Sequence, residues 1–148
     1  MNNWFVRAGV FISLLASPDR LAAAETVIVE FVDITRQAGI DFVHVNGATG
    51  RKYFPETMGG GVAFLDYDGD GHMDAYMVNG APLPGYTEAS EVGNVLYKNR
   101  SDGTFENMSA TAGADDGGYG MGCAAGDYDN DGRLDLYVTN YGANVLYR

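Results

Sequence analysis

Two nine-residue stretches carry the densest chemistry in this chain. Asp66-Tyr67-Asp68-Gly69-Asp70-Gly71-His72-Met73-Asp74 is matched 61 residues later by Asp127-Tyr128-Asp129-Asn130-Asp131-Gly132-Arg133-Leu134-Asp135. Each sets carboxylates at positions 1, 3, 5 and 9 and glycine at position 6. Four carboxylates drawn round one centre repel by several kcal/mol even at moderate dielectric, so a fold that gathers them calls for a cation. With only oxygen donors and no cysteine or histidine side chain in ligand register, that cation is a hard divalent ion; Ca2+ is the expected occupant, one per loop. The blander reading, a solvated acidic turn without metal, would have to arise twice at the same spacing.

A helical calcium sensor is not what these loops encode. Its loop needs a bidentate glutamate at position 12, and that position holds Met77 in one copy and Val138 in the other. The apolar alternation that follows position 9 suits a strand. Gly71 and Gly132 supply the sharp turn that folds each loop back on itself.

The elements that must position the loops are themselves repeated. Gly60-Gly61-Val62-Ala63-Phe64-Leu65 leads into the first loop and Gly122-Cys123-Ala124-Ala125-Gly126 into the second. The β-prone runs Ala75-Tyr76-Met77-Val78-Asn79 and Leu136-Tyr137-Val138-Thr139-Asn140 follow them. Asn94-Val95-Leu96-Tyr97-Lys98 is then echoed by Asn144-Val145-Leu146-Tyr147-Arg148. A further echo pairs Phe31-Val32-Asp33-Ile34-Thr35 with Phe105-Glu106-Asn107-Met108-Ser109, each followed three residues on by Ala-Gly. The unit reads strand, loop, strand, turn, strand, turn, strand.

Four short strands in roughly 60 residues predict an all-β fold built of β-propeller blades, about two of them here, with the metal loops between strands. The 74-residue spacing of the Phe31 and Phe105 echo exceeds 61, and the extra residues fall between Ile40 and Gly59. Asp41 to Met58 therefore reads as an inserted hairpin or surface loop, with Asn46-Gly47 a tight-turn signal. Repeat arrays need about three or more units to bury a continuous core. Arg148 falls in the middle of the second unit, so the chain reads as part of a longer protein, with the rest of the propeller outside it.

Composition agrees. Twenty-one glycines argue for many turns and few long helices, and the formal charge of −11 makes nucleic acid or an anionic membrane surface a poor partner. Residues 1–24 read as a secretory signal: Arg7 in a short polar start, an apolar run from Ala8 to Ala16 too short to span a bilayer, and Ala22-Ala23-Ala24 before Glu25. Residues 25–148 would then be the exported repeat region, secreted to an extracellular or periplasmic space where calcium is plentiful. Cys123 alone carries a thiol, so no disulfide framework exists within the chain.

These features resemble the integrin-type propeller repeats known as FG-GAP or VCBS repeats. Phe31 to Gly39, followed by Phe54-Pro55-Glu56-Thr57-Met58-Gly59-Gly60-Gly61-Val62-Ala63-Phe64 and Asp66-Tyr67-Asp68, is similar to the opening of the cartilage acidic protein family, including its bacterial ASPIC/UnbV-type members. The resemblance implies a propeller of about seven blades with a further C-terminal domain. It also implies a ligand set for each ion: side-chain oxygens from Asp66, Asp68, Asp70 and Asp74 with the backbone carbonyl of His72, and from Asp127, Asp129, Asp131 and Asp135 with that of Arg133.

Function then reads as a non-enzymatic recognition or adhesion scaffold, its calcium loops stiffening blades that engage an extracellular protein or glycan. The rival is the non-catalytic propeller of a secreted enzyme whose active site lies beyond residue 148. Neither His44 nor His72 pairs with a serine or cysteine nucleophile in recognisable spacing. Cys123 suits a small buried thiol, and the matched tyrosines Tyr67, Tyr76, Tyr97, Tyr128, Tyr137 and Tyr147 suit packing between blades better than sugar stacking. Asn99-Arg100-Ser101 and Asn107-Met108-Ser109 fit a glycosylation pattern too short to carry weight.

Overall fold

The computed structural model describes residues 30–87 and 92–148. The chain divides into two units, Met1–Val32 and Asp33–Arg148, and every element below belongs to the second. The signal-peptide reading of residues 1–24 lies outside the described residues. Among those described, no helix is long and apolar enough to cross a membrane.

Among the described residues, seven strands form two antiparallel sheets. The first holds β1 (Val62–Leu65), β2 (Asp74–Met77), β3 (Val95–Asn99) and β4 (Phe105–Asn107) in that order, and the second β5 (Gly120–Gly126), β6 (Asp135–Asn140) and β7 (Val145–Tyr147). Each acidic loop joins the inner strand to the next, β1 to β2 and β5 to β6. Registers repeat accordingly: Leu65 lies opposite Asp74, and Gly126 opposite Asp135. The all-β expectation of propeller blades holds, with one short helix among the described residues, α1 (Ser109–Ala112), just after β4.

The sheets pack face to face. Strand alternation puts Ala63, Leu65, Tyr76 and Leu96 on one side of the first sheet, with Val78 just past the end of β2. They meet Cys123, Leu136, Val138, Val145 and Tyr147 of the second sheet. Tyr76 and Val138 are fully buried there, and the Tyr76 ring stands edge-on to Tyr147 with centroids 6.3 Å apart. Tyr76 Oη donates to the Ala114 carbonyl at 3.2 Å, so its polar tip is satisfied inside the apolar seam. At the inner edge a methyl group on Gly61 would stand 2.9 Å from the Cys123 nitrogen; only a bare backbone lets β1 and β5 come this close.

The echo around residues 31–39 and 105–113 is a repeat in three dimensions as well. Asp33 accepts from the Thr35 amide at 3.0 Å, and Asn107 from the Ser109 amide at 3.0 Å. Ala38 N to Ile34 O, Gly39 N to Arg36 O and Ile40 N to Thr35 O reappear 74 residues on as Ala112 to Met108, Gly113 to Ala110 and Ala114 to Ser109. Both turns close on a left-handed glycine, Gly39 at φ 75° and Gly113 at φ 65°. Ahead of the first turn, however, residues 31–33 belong to no sheet among the described residues, whereas their counterparts form β4.

The inserted segment is no hairpin: residues 41–58 contain no strand, only a 3-10 turn at Phe54–Thr57. It is the surface loop of the other expectation, fastened at both arms. Asn79 accepts from the Val45 amide at 2.7 Å and donates to the Val43 carbonyl at 3.2 Å. Tyr119 Oη lies 2.7 Å from the Asn46 carbonyl and 2.9 Å from that of Pro55, one hydroxyl facing both arms of the insertion.

Candidate metal centres

Each acidic loop leaves the end of an inner strand and turns back on its own first carboxylate. Asp66 Oδ1 accepts from the amides of Gly69 at 2.8 Å and Asp70 at 3.0 Å, while its Oδ2 accepts from Gly71 at 2.9 Å. Asp127 repeats the arrangement with Asp131 at 3.0 Å and Gly132 at 2.9 Å. Gly71 and Gly132 both sit at φ +86°, a conformation that a side chain would strain. Position 4 is left-handed too, which is why it holds Gly69 in one loop and Asn130 in the other.

Position 9 is anchored rather than solvated. Asp74, with no exposed surface, accepts from the Tyr67 amide at 3.1 Å and the Asn99 amide at 2.7 Å. Asp135, also buried, accepts from Tyr128 at 2.8 Å. Burial pushes the Asp74 carboxyl above its ordinary range, against the pull of the Asn99 and Tyr67 amides. A carboxylate in that position gains from a neighbouring positive charge.

Three of the four carboxylates converge in each loop. Asp66, Asp68 and Asp74 present oxygens within 4.8 Å of one another, as do Asp127, Asp129 and Asp135, and each trio can hold a metal ion. The donor set fits a hard cation: all oxygen and multiply charged, with the position-1 and position-9 carboxylates held by amide hydrogen bonds. Asp70 and Asp131 stand outside the trios. Their Oδ1 atoms accept from the position-7 amides of His72 and Arg133, each at 2.9 Å. The His72 and Arg133 side chains belong to neither trio.

A feature absent from the nine-residue motif is a cation delivered from the next strand. Lys98 Nζ, at the end of β3, pairs with Asp68 and lies 2.6 Å from Asp70, and these carboxylates hold its ammonium far above the ordinary lysine range. Arg148 lies 3.7 Å from Asp129 at the matching place in the second repeat. The two loops adjoin at one end of the sheets, where Asp66, Tyr67 and Asp68 share a cleft with Gly132, Arg133 and Leu134.

Cys123 is half-buried against the seam, and burial pushes its thiol up, so it packs rather than reacts. The repeated tyrosines split. Tyr76 and Tyr97 are buried, and Tyr67 and Tyr147 pack against the core, but Tyr128 in the second loop and Tyr137 on β6 stay exposed.

A four-stranded and a three-stranded antiparallel sheet, each carrying an acidic loop from its inner strand and stacked face on face, define the described residues as β-propeller blades with acidic loops between strands. Comparison with known proteins narrows the class. The FG-GAP-like repeat family matches residues 85–138, from just before β3 through the second loop into β6. Human "Cartilage acidic protein 1" is 43% identical over 56 residues, covering 36% of this chain and 8% of the relative. Its Xenopus tropicalis counterpart is 32% identical over 66 residues, 44% of this chain and 10% of the relative. The chain is thus similar to the FG-GAP-like repeat over residues 85–138, and to cartilage acidic protein over a segment that spans about a tenth of those relatives' length.

Proposed function

We propose that this protein is an exported, calcium-binding propeller module with no catalytic role, whose ions stiffen a scaffold for recognition of an extracellular protein or glycan. The observation that carries the reading is the pair of carboxylate trios, built alike in two repeats around a buried position-9 aspartate. Calcium would be held by Asp66, Asp68 and Asp74 in the first loop and Asp127, Asp129 and Asp135 in the second. Asp70 and Asp131 complete each set with the position-7 carbonyls of His72 and Arg133. The ion supplies positive charge that offsets carboxylate repulsion, and the chain supplies the frame. Since the folded loop binds it far better than the open chain, its affinity adds to stability.

Isothermal titration with Ca2+, together with metal analysis, tests this. The expected result is two ions per chain, falling to one in Asp68→Ala and in Asp129→Ala. Chelation with EGTA should lower the melting temperature by at least about 5 °C, because a ligand at a hundredfold its Kd adds about 2.7 kcal/mol per site. A chain that takes up no calcium at millimolar concentration, or melts identically with and without EGTA, overturns the reading.

A further inference from the structure

Backbone pairing between β2 and β3 stops short of the first metal loop. Its last rung on the loop side sets Ala75 opposite Tyr97, and beyond that rung the strands are joined by a crossed exchange of side chain and backbone. Asp74 Oδ1 accepts from the Asn99 amide at 2.7 Å, and Asn99 Nδ2 donates in return to the Met73 carbonyl at 3.0 Å. Met73 and Asp74 are positions 8 and 9 of the loop, where it closes. The other oxygen of Asp74 accepts from the Tyr67 amide at 3.1 Å, so one carboxylate ties the entry of the loop, its exit and the end of β3. Asn99 Oδ1 serves the opposite side: it accepts from the Ser101 amide at 2.9 Å and starts the turn into β4. That turn is tight, with Ser101 at φ 62° and the Arg100 amide donating to the Thr104 carbonyl at 2.9 Å.

We propose that Asn99 is a positioning residue for the ion of the first loop, an inference that rests on the calcium reading given above. It acts through Met73 and Asp74, holding the exit of the loop at the spacing the carboxylates need. Position 8 needs such a hold, for the Met73 side chain is 58% exposed and takes no part in the core seam. The residue type follows from the two tasks. An aspartate could accept from Ser101 but not donate to Met73, a lysine could do only the reverse, and a glutamine would carry its amide one methylene too far. Groups of this kind, one step removed from a metal, spare the ion the cost of ordering the residues that bind it.

Calorimetric titration of the full chain with Ca2+ tests the proposal, Asp129→Ala isolating the first loop and Asp68→Ala the second. Asn99→Asp is the telling variant. It has the same shape, keeps the bond from Ser101, loses the bond to Met73, and adds a negative charge that by itself would attract the cation, so weaker binding belongs to the lost donor. Asn99→Asp and Asn99→Ala should each weaken the first loop about tenfold. The second loop should be unchanged, since none of the hydrogen bonds of Asn99 reaches residues 127–135. A further measurement needs no ion. In EGTA the Tyr67 amide should exchange its hydrogen several-fold faster in Asn99→Asp than in the wild type, while the amides of β1 and β2 keep their rates. Undiminished calcium affinity of the first loop in Asn99→Asp, a loss shared equally by both loops, or unaltered exchange at Tyr67 overturns the proposal. A wild-type first loop that takes up no calcium overturns the calcium reading and this proposal together, an outcome visible before any substitution at Asn99 is made.

Discussion

Lys98 is the residue that most alters the view of the first loop. Its ammonium occupies the charge that Asp68 and Asp70 would otherwise offer a divalent ion, so it competes with the ion while helping the empty loop keep its shape. Lys98→Met should tighten calcium binding at the first loop roughly threefold or more, an effect that shrinks in high salt. Calorimetry with the second loop disabled by Asp129→Ala reads it directly. Asp74 sets the pH response. Because burial raises its carboxyl, protons compete with calcium from a higher pH than an ordinary aspartate would allow. The proposed calcium binding at the first loop should be full at neutral pH and weaken with acidification sooner than an ordinary aspartate would allow, and titrations at neutral and at acid pH would check this. The carboxylate spacing and the glycine at position 6 made both loops legible, since few other roles need those residue types in that order. Lys98 was not legible from the motif, for it lies 28 residues beyond Asp70 and reaches the loop through strand pairing. Its match with Arg148 in the repeat was the available signal.

Among the elements, strands β1 to β4 follow from short apolar runs bounded by turn residues, and the repeat carried the same reading to β5 to β7. Helix α1 was not readable, because Ser-Ala-Thr-Ala is too short to show a helical period and its identity rests on the turn after β4. For the inserted segment the loop alternative holds and the hairpin alternative does not, and the way the loop is fastened was not readable. Its fastenings are backbone groups reaching side chains 34 and 73 residues away, a kind of contact that leaves no local pattern. Close approach of β1 and β5 is equally silent in composition, yet it fixes how the sheets seat. Gly61→Ala would push a methyl group to within 2.9 Å of the Cys123 nitrogen and the Gly122 Cα. Backbone cannot yield as a flexible side chain can, so the substitution should destabilise the fold by about 1–3 kcal/mol. Urea denaturation would measure this, and a neutral outcome would mean the inner strands are not held where they stand.

For the whole molecule, the insertion matters most through Tyr119. That single phenol, just ahead of β5, faces the carbonyls of Asn46 and Pro55, on either side of the exposed Arg51-Lys52 pair. Trypsin admitted at Arg51 or Lys52 would sever the covalent path while leaving each stump tethered, one by Asn79 and Tyr119, the other by Tyr119 and the buried Pro55. The nicked protein should run as two pieces on a denaturing gel and as one on a native gel. Separation of the pieces under native conditions would show the tether too weak to matter. A backbone break tolerated at this place makes it a natural site to splice in a foreign peptide or a label, with the sheets beneath left undisturbed.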